Sequence, residues 1–323
     1  MAFAPLGAHL EPPADRTKPL SADLDTGVAI IGAGHTGLST ALALRSAGID
    51  AVVLEADFAG AGASGRNAGH LTPKIGKDLP AVLRRFGRER ASALVHFAAA
   101  AIEHTERLMK THAIDCDYRA SGLVMAAVHP GQNRKLMRAA AAGASIGARV
   151  RFVAEEEMRE RGIPPAFLCG VLEEPGGTFD PGRFVLGLRR AALEAGVRLF
   201  EATRVTKIEE GKRVRLRTAG GAVTADRIVI ATNGYTPLLG WRPRSVINLA
   251  CSLFELREKA WPNWRGLHRS ARGGPDLRHG RCDPPSELLV SRVGRRCVGE
   301  GACARGVREA VLERADVLQR RRE

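Results

Sequence analysis

Two patterns of apolar residues alternate along the first 240 positions: short unbroken runs, and stretches where apolar residues recur every three or four places. The first is the pattern of strands buried on both faces, the second that of helices packed over them. Val28-Ala29-Ile30-Ile31 and Ala51-Val52-Val53-Leu54 are runs of the first kind. Between them Leu38, Ala41, Leu42 and Leu44 share one helical face, and Gly48 closes the helix. Residues 1–26 contain Pro12 and Pro13, show no period, and read as an extended lead-in, so the fold is expected to start near Val28.

Further along, Leu94, Phe97, Ala98, Ala101, Thr105, Leu108 and Met109 predict a long helix over about 83–110, with Glu103 and Arg107 paired at i, i+4. A strand at 122–128 and helices at 130–142 and 154–161 follow, which makes the middle third an inserted α+β region. Asp180 followed by Pro181 is a helix start, with Phe184, Leu188, Ala191, Ala192 and Ala195 on one face and Gly196 at the end. Strands are then expected at 197–201, 204–208, 213–217 and 228–231, with a turn at Gly220-Gly221.

Charge changes the picture little. The net charge is +14, and residues 241–323 carry 17 Arg and one Lys against ten acidic residues, so more than half of the excess lies in that segment. No aromatic residues interleave with the basic ones in a way that suits stacking on bases, so a basic nucleic-acid-binding protein is a poor fit and a solvated Arg-rich surface a better one. With no apolar run of 18 residues and no apolar leader, no membrane partner and a cytoplasmic location are expected. Six cysteines without framework spacing read as reduced thiols, and no metal site is expected. Gly143-Ala144-Ser145-Ile146-Gly147 has the letters of a serine-hydrolase elbow, but an Ala-rich helical run precedes it where a strand is required.

The chemistry is concentrated between 32 and 70. Gly32-Ala33-Gly34-His35-Thr36-Gly37 follows a buried strand and opens a helix, and Glu55 lies 18 residues beyond its last glycine. In that context Gly32 permits the tight turn, Gly34 lets the backbone approach a pyrophosphate, Gly37 lets helix and strand pack closely, and Thr36 stands at the anion-binding helix N-terminus. Glu55 is placed to accept the adenosine ribose hydroxyls and to repel a 2'-phosphate, which disfavours NADP. The small residues that follow, Gly60-Ala61-Gly62-Ala63-Ser64-Gly65-Arg66-Asn67-Ala68-Gly69-His70, suit a backbone folded tightly against a planar ligand.

With that loop the sequence resembles the FAD-dependent oxidoreductases of the D-amino-acid-oxidase-like class, and among them the gamma-glutamylputrescine oxidoreductase type. Gly177-Thr178-Phe179-Asp180-Pro181, Thr203-Arg204-Val205-Thr206-Lys207-Ile208 and Ala231-Thr232-Asn233-Gly234-Tyr235-Thr236-Pro237 extend the resemblance over roughly 27–257. It implies FAD as cofactor, with Ser64, Gly65, Arg66 and Asn67 beside pyrophosphate and flavin. It also implies that Val205 touches the adenine through its backbone and that Ala231, Thr232, Asn233 and Gly234 close over the phosphates. Arg66 can equally be read as an interdomain ion pair, and Asn233 as a turn residue. The reaction implied is oxidation of a small-molecule amine or amino acid at its C–N bond, by hydride transfer to flavin with oxygen as acceptor. His70 is the catalytic candidate, against the alternative of a solvent-facing or capping histidine, and Tyr235 a weaker one.

The expected fold is α/β, a glutathione-reductase-like, Rossmann-type FAD-binding domain with an inserted α+β substrate domain, incomplete at its C-terminal end. Its segments are a lead-in at 1–26, FAD-binding parts at 27–75 and 179–240, the inserted domain at 76–178, the start of a second substrate segment at 241–264, and an atypical Arg/Gly-rich tail at 265–323. The last 59 residues contain no Ile, Lys, Phe, Tyr, Trp, Thr, Met or Asn, and only 307–318 has the pattern of an amphipathic helix. Such a composition cannot supply sheet strands, and it is read as the product of a shifted reading frame or comparable decay. An inactive remnant of the enzyme is therefore the alternative function. Oligomeric state is left open.

Overall fold

The structure is a computed structural model that describes residues 10–74 and 78–239. Its centre is a six-stranded sheet in the order β8 (Arg198–Phe200), β2 (Ala51–Leu54), β1 (Leu24–Ile31), β11 (Gly221–Ile230), β10 (Val214–Thr218), β9 (Lys207–Glu209). β1, β2, β8 and β11 run parallel, with Ile31 level with Leu54 on one side and with Ile230 on the other. β10 and β9 complete the sheet antiparallel.

The unbroken apolar runs have a direct cause, because both faces of this sheet are covered. Val28, Ile30, Val53 and Leu199 pack under α1 (His35–Ser46) and α5 (Pro181–Glu194), against Leu38, Phe184 and Leu188. Ala29, Ile31, Val52 and Leu54 face the other way onto Val205, Leu216 and Val223. Asp180 caps α5 by accepting the Arg183 amide at 2.9 Å.

Between the two halves of the sheet lies the inserted region. A two-stranded ribbon, β3 (His70–Leu71) with β7 (Gly177–Thr178), joins it to the sheet domain. The insert holds α2 (Leu79–Thr111) and an antiparallel sheet in the order β4-β6-β5, made of β4 (Leu123–Ala127), β5 (Val150–Val153) and β6 (Cys169–Glu173). α3 (Asn133–Ala144) packs Ala140 onto Val150 and Val171, while α4 (Glu155–Glu160) packs Met158 onto Val153 and Leu172.

Several expectations change here, among them the strand expected at 204–208, which is found at Lys207–Glu209, and the strand expected at 228–231, which begins at Gly221. β1 starts at Leu24, because Leu24, Asp25 and Thr26 pair with Val223, Thr224 and Ala225, and the lead-in is fastened to the fold. Its Leu20 is buried, and its amide donates to Thr203 Oγ1 at 3.0 Å. The long helix begins at Leu79 and is interrupted at Gly87, whose φ of 73° and ψ of 171° leave the helical region. The stripe that α2 buries is Ala91, Val95, Ala98, Ile102 and Met109, and Phe97 is 73% exposed. Strands β5 and β6 had no counterpart in the pattern reading. Ser145 of the elbow-like motif follows the end of α3, with its hydroxyl donating to Ala142 O. Residues 240–323, with the expected second substrate segment, the tail, its helix and its shifted-frame reading, lie outside the described residues.

Candidate cofactor site

The glycine loop leaves β1 with Gly32 at φ 103°, where a Cβ would lie 2.9 Å from Ala231 O. A Cβ on Gly37 would lie 1.9 Å from Gly32 O, so helix and strand touch only because it is glycine. α1 has no side-chain cap of its own at Gly34. Ser64 supplies one from outside, its Oγ accepting the His35 amide at 3.0 Å.

Gly32, Gly34, Thr36, Glu55, Ser64 and Val205 line one cleft of about 570 Å³ at the carboxyl ends of the parallel strands. Ala231, Thr232 and Asn233 close its far side. That is where a doubly wound sheet binds its ligand. Glu55 follows β2 and holds two backbone donors, the Ala33 amide on Oε2 at 2.8 Å and the Asp57 amide on Oε1 at 3.0 Å. Burial pushes its carboxyl above the ordinary value, against the pull of those amides. The oxygens keep further lone pairs for a ligand's hydroxyls, since a carboxylate offers about four acceptor sites. This donor set fits an adenosine ribose and pyrophosphate.

Five of the predicted cofactor residues, Gly37, Gly65, Arg66, Asn67 and Gly234, do not line this cleft. Gly37 lies beneath the loop, and Gly65 is buried against Gly60 O. Arg66 is exposed. Gly234 belongs to the short helical turn Asn233–Leu239, which Thr232 and Thr236 tie together through a hydroxyl pair at 2.8 Å. Asn233 has a φ of 44°, as a turn residue does. Asn67 is turned inward, its amide donating to Ser64 O at 2.8 Å and accepting from the Gly69 amide at 2.9 Å.

Asn67 and His70 line a second cleft, of about 500 Å³, between α1, α2 and the start of α5. His70 is exposed on β3. His35 lines both clefts. Its ring lies 5.2 Å from that of Phe184, and its Nε2 is buried without a partner among the described residues. Burial lowers its pKa, so the imidazole is neutral at pH 7. Pattern reading passed over His35 because the fingerprint leaves its position free.

A second buried carboxylate escaped it too. Glu201 follows β8 and is wholly buried, accepting the Ala59 amide at 2.8 Å, the Thr17 amide at 2.7 Å and both Nε and Nη2 of Arg189. Arg189 also grips the Asp15 carboxylate at 3.0 Å. The network ties the lead-in to the segment 55–64, which forms one wall of the first cleft. An acid directly after an apolar strand is the same signal that marks Glu55. Tyr235 sits at the mouth of that cleft, its ring 3.3 Å from where a Gly62 Cβ would be.

Among the described residues no group of His, Cys, Asp and Glu could hold a metal, and no helix is long and apolar enough to cross a membrane. Cys116 and Cys169 are buried free thiols.

A family model described as FAD dependent oxidoreductase matches residues 27–274, beyond the point near 257 where the sequence resemblance stopped. Gamma-glutamylputrescine oxidoreductase of Escherichia coli is 32% identical over 217 residues, covering 67% of this chain and 51% of that protein. A probable oxidoreductase OrdL of Rhizobium meliloti is 34% identical over 215 residues, covering 64% and 49%. The chain thus spans about half the length of the curated relatives it matches. The crystal structure of glycine oxidase from Geobacillus kaustophilus shares the fold, with a TM-score of 0.54 at 24% identity over 67% of this chain and 58% of that one.

Proposed function

Because this chain belongs to the FAD dependent oxidoreductase family, we propose that its first cleft holds the ADP half of FAD and that the whole protein oxidises the C–N bond of an amine or amino acid. The observation that carries the cofactor reading is the meeting of Glu55 and the Gly32–Gly37 loop in one cleft at the carboxyl ends of β1 and β2. Glu55 accepts the ribose hydroxyls, the backbone at Gly32 and Gly34 lets the pyrophosphate approach, and Ser64 with Asn67 holds the loop that faces the rest of the cofactor. A bound flavin would supply the redox chemistry, as acceptor of a hydride from the carbon that bears the amine, with oxygen as the final electron acceptor. The protein's part is to orient the amine and keep water out. The substrate class is supported by the names of the relatives, one oxidising gamma-glutamylputrescine and one glycine.

Heat denaturation of the purified 323-residue protein, followed by chromatography of the released small molecules, tests the cofactor reading. Release of FAD is expected. Recovery of a nicotinamide dinucleotide instead, or calorimetric binding of NAD with none of FAD, overturns it. Bleaching of the flavin absorbance by an amine under anaerobic conditions tests the reaction.

A further inference from the structure

We propose that the second cleft binds the aromatic body of the amine substrate, with the amine directed at His35 on the border of the cofactor cleft. The inference rests on the amine-oxidation reading for the identity of the amine end, and on the cleft itself for the rest. His35, from α1, forms part of both clefts, and the Asn67 bond to Ser64 O ties one wall of each together. A ligand in the second cleft therefore lies directly beside the first.

The walls select the ligand. Phe179, Phe184 and the His35 ring form an aromatic cluster, with both ring pairs at 5.2 Å and inclined to one another. Such surfaces favour another ring in an edge or offset arrangement. Leu71 and Leu108 add apolar area, and His70, Asn67, Thr105 and His104 supply hydrogen-bonding edges. Among the described lining residues there is no Asp, Glu, Lys or Arg. A second ammonium, as in a diamine, would meet no carboxylate among these residues, and a carboxylate, as in an amino acid, would meet no Arg or Lys, and an unpaired charge is costly away from water. The volume of about 500 Å³ is within the usual range for a small-molecule site.

At the border, Nε2 of His35 is buried with no partner among the described residues, so an amine that displaces its cover would supply the missing hydrogen bond. A neutral imidazole accepts one hydrogen bond at its bare nitrogen, and an amine N–H provides it. The buried nitrogen is left unsatisfied unless a ligand reaches it. The expected substrate is thus a monoamine on an aromatic body.

Calorimetric titration of the purified full-length protein, with FAD present, compares 2-phenylethylamine, putrescine and glycine. Phenylethylamine is expected to bind at least tenfold more tightly than the other two. His35→Phe, which keeps a ring and removes Nε2, is expected to weaken it about tenfold, the worth of one hydrogen bond. Thr105→Trp, which fills the cleft from the open side of α2, is expected to abolish binding. Circular dichroism and the thermal midpoint establish that both variants fold, and Phe184→Ala is avoided because that ring is buried in the main core. Equal binding of all three amines, binding indifferent to both variants, or no binding of phenylethylamine while FAD is present overturns the proposal. Tight, variant-sensitive binding with no flavin bleaching leaves the site standing and refutes the amine-oxidation reading instead.

Discussion

Glu55 and Glu201 follow the last residues of β2 and β8, which are neighbours in the sheet, and each accepts backbone amides near the same cleft. The surroundings of the two carboxylates then diverge. Glu201 is wholly buried and meets the guanidinium of Arg189, with no part of it left for solvent or ligand. Glu55 has amides only, and it lines the open cleft. The same sequence signal, an acid at the carboxyl end of a buried strand, thus serves as a fastening in one place and in the other leaves a carboxylate open to the cleft in which we propose the ribose binds. The difference comes from a partner arginine twelve residues upstream, on α5.

The largest effect expected from breaking this contrast is at the fastening. Arg189→Leu leaves a buried carboxylate unpaired and should cost about 3 to 5 kcal/mol, a large part of the ~5 to 15 kcal/mol that holds a domain together. Urea unfolding measures it, and replacing Glu201 by Leu in the same chain should recover part of the loss. The pH dependence carries the opposite signs of the two sites. Burial works to raise the Glu201 carboxyl, but the bonds from Arg189, Ala59 and Thr17 outweigh it and hold it below the ordinary value of 4.5. Its contribution is therefore present above pH 4.5 and lost as pH falls through the folded-state value. Glu55 is raised, so the fold favours its acid form, and that contribution is lost as pH rises from 4.5 through the folded-state value. Acid unfolding should lose its Glu201-dependent part in Glu201→Gln and keep it in Glu55→Gln.

At the ligand site the expected effect is smaller in stability and confined to binding. Glu55→Gln keeps one oxygen for the Ala33 or Asp57 amide but loses the charge that a ribose would meet. FAD affinity should fall about tenfold or more, from ~1.5 kcal/mol per charged hydrogen bond, while stability changes by about 1 kcal/mol. Unchanged affinity in a fluorescence titration of FAD would show that Glu55 is a second fastening and remove the contrast.

How much of this was legible depended on whether a local rule sufficed. The glycine loop, β1, β2 and Glu55 form a contiguous unit whose roles follow from spacing, and the structure brings the loop and the acid to one cleft. The Arg189–Glu201 contact, and the grip of both on Asp15 and Thr17, joins residues up to 184 positions apart, so no window could reveal it. β6 is buried along all five residues, yet Cys169-Gly170-Val171-Leu172-Glu173 offers only two large apolar side chains, and its glycine is there because a Cβ would meet Val124 at 2.6 Å. β11 runs ten residues through Thr224, Asp226 and Arg227 because β10 pairs with it from Gly221 to Ala225 and β1 from Val223 to Ile230. Arg66 and His70 were placed by resemblance, and both are exposed.

The buried stripe of α2 provides the smallest test of the same distinction, between a side chain that is held and one that is open. The sequence pattern places Leu94, Phe97, Ala98, Ala101, Thr105, Leu108 and Met109 on the stripe; Ala98 and Met109 are indeed buried, but the helix packs also through Ala91 and Val95 and turns Ile102 rather than Phe97 inward. Ile102 is 3% exposed and its Cδ1 approaches the ribbon at Gly176, while Phe97, five residues earlier, is 73% exposed. Removing a buried isoleucine side chain leaves a cavity and should cost ~2 to 5 kcal/mol in Ile102→Ala. Phe97→Ser removes more apolar surface from the chain but none from the packed interior, so it should stay within about 0.5 kcal/mol. Urea midpoints of the two variants, measured side by side, decide the helix's rotation. If Phe97→Ser proves as costly as Ile102→Ala, α2 buries the face that the sequence pattern indicated, and the second cleft, which takes His104, Thr105 and Leu108 from this helix, loses the wall on which its ligand would rest.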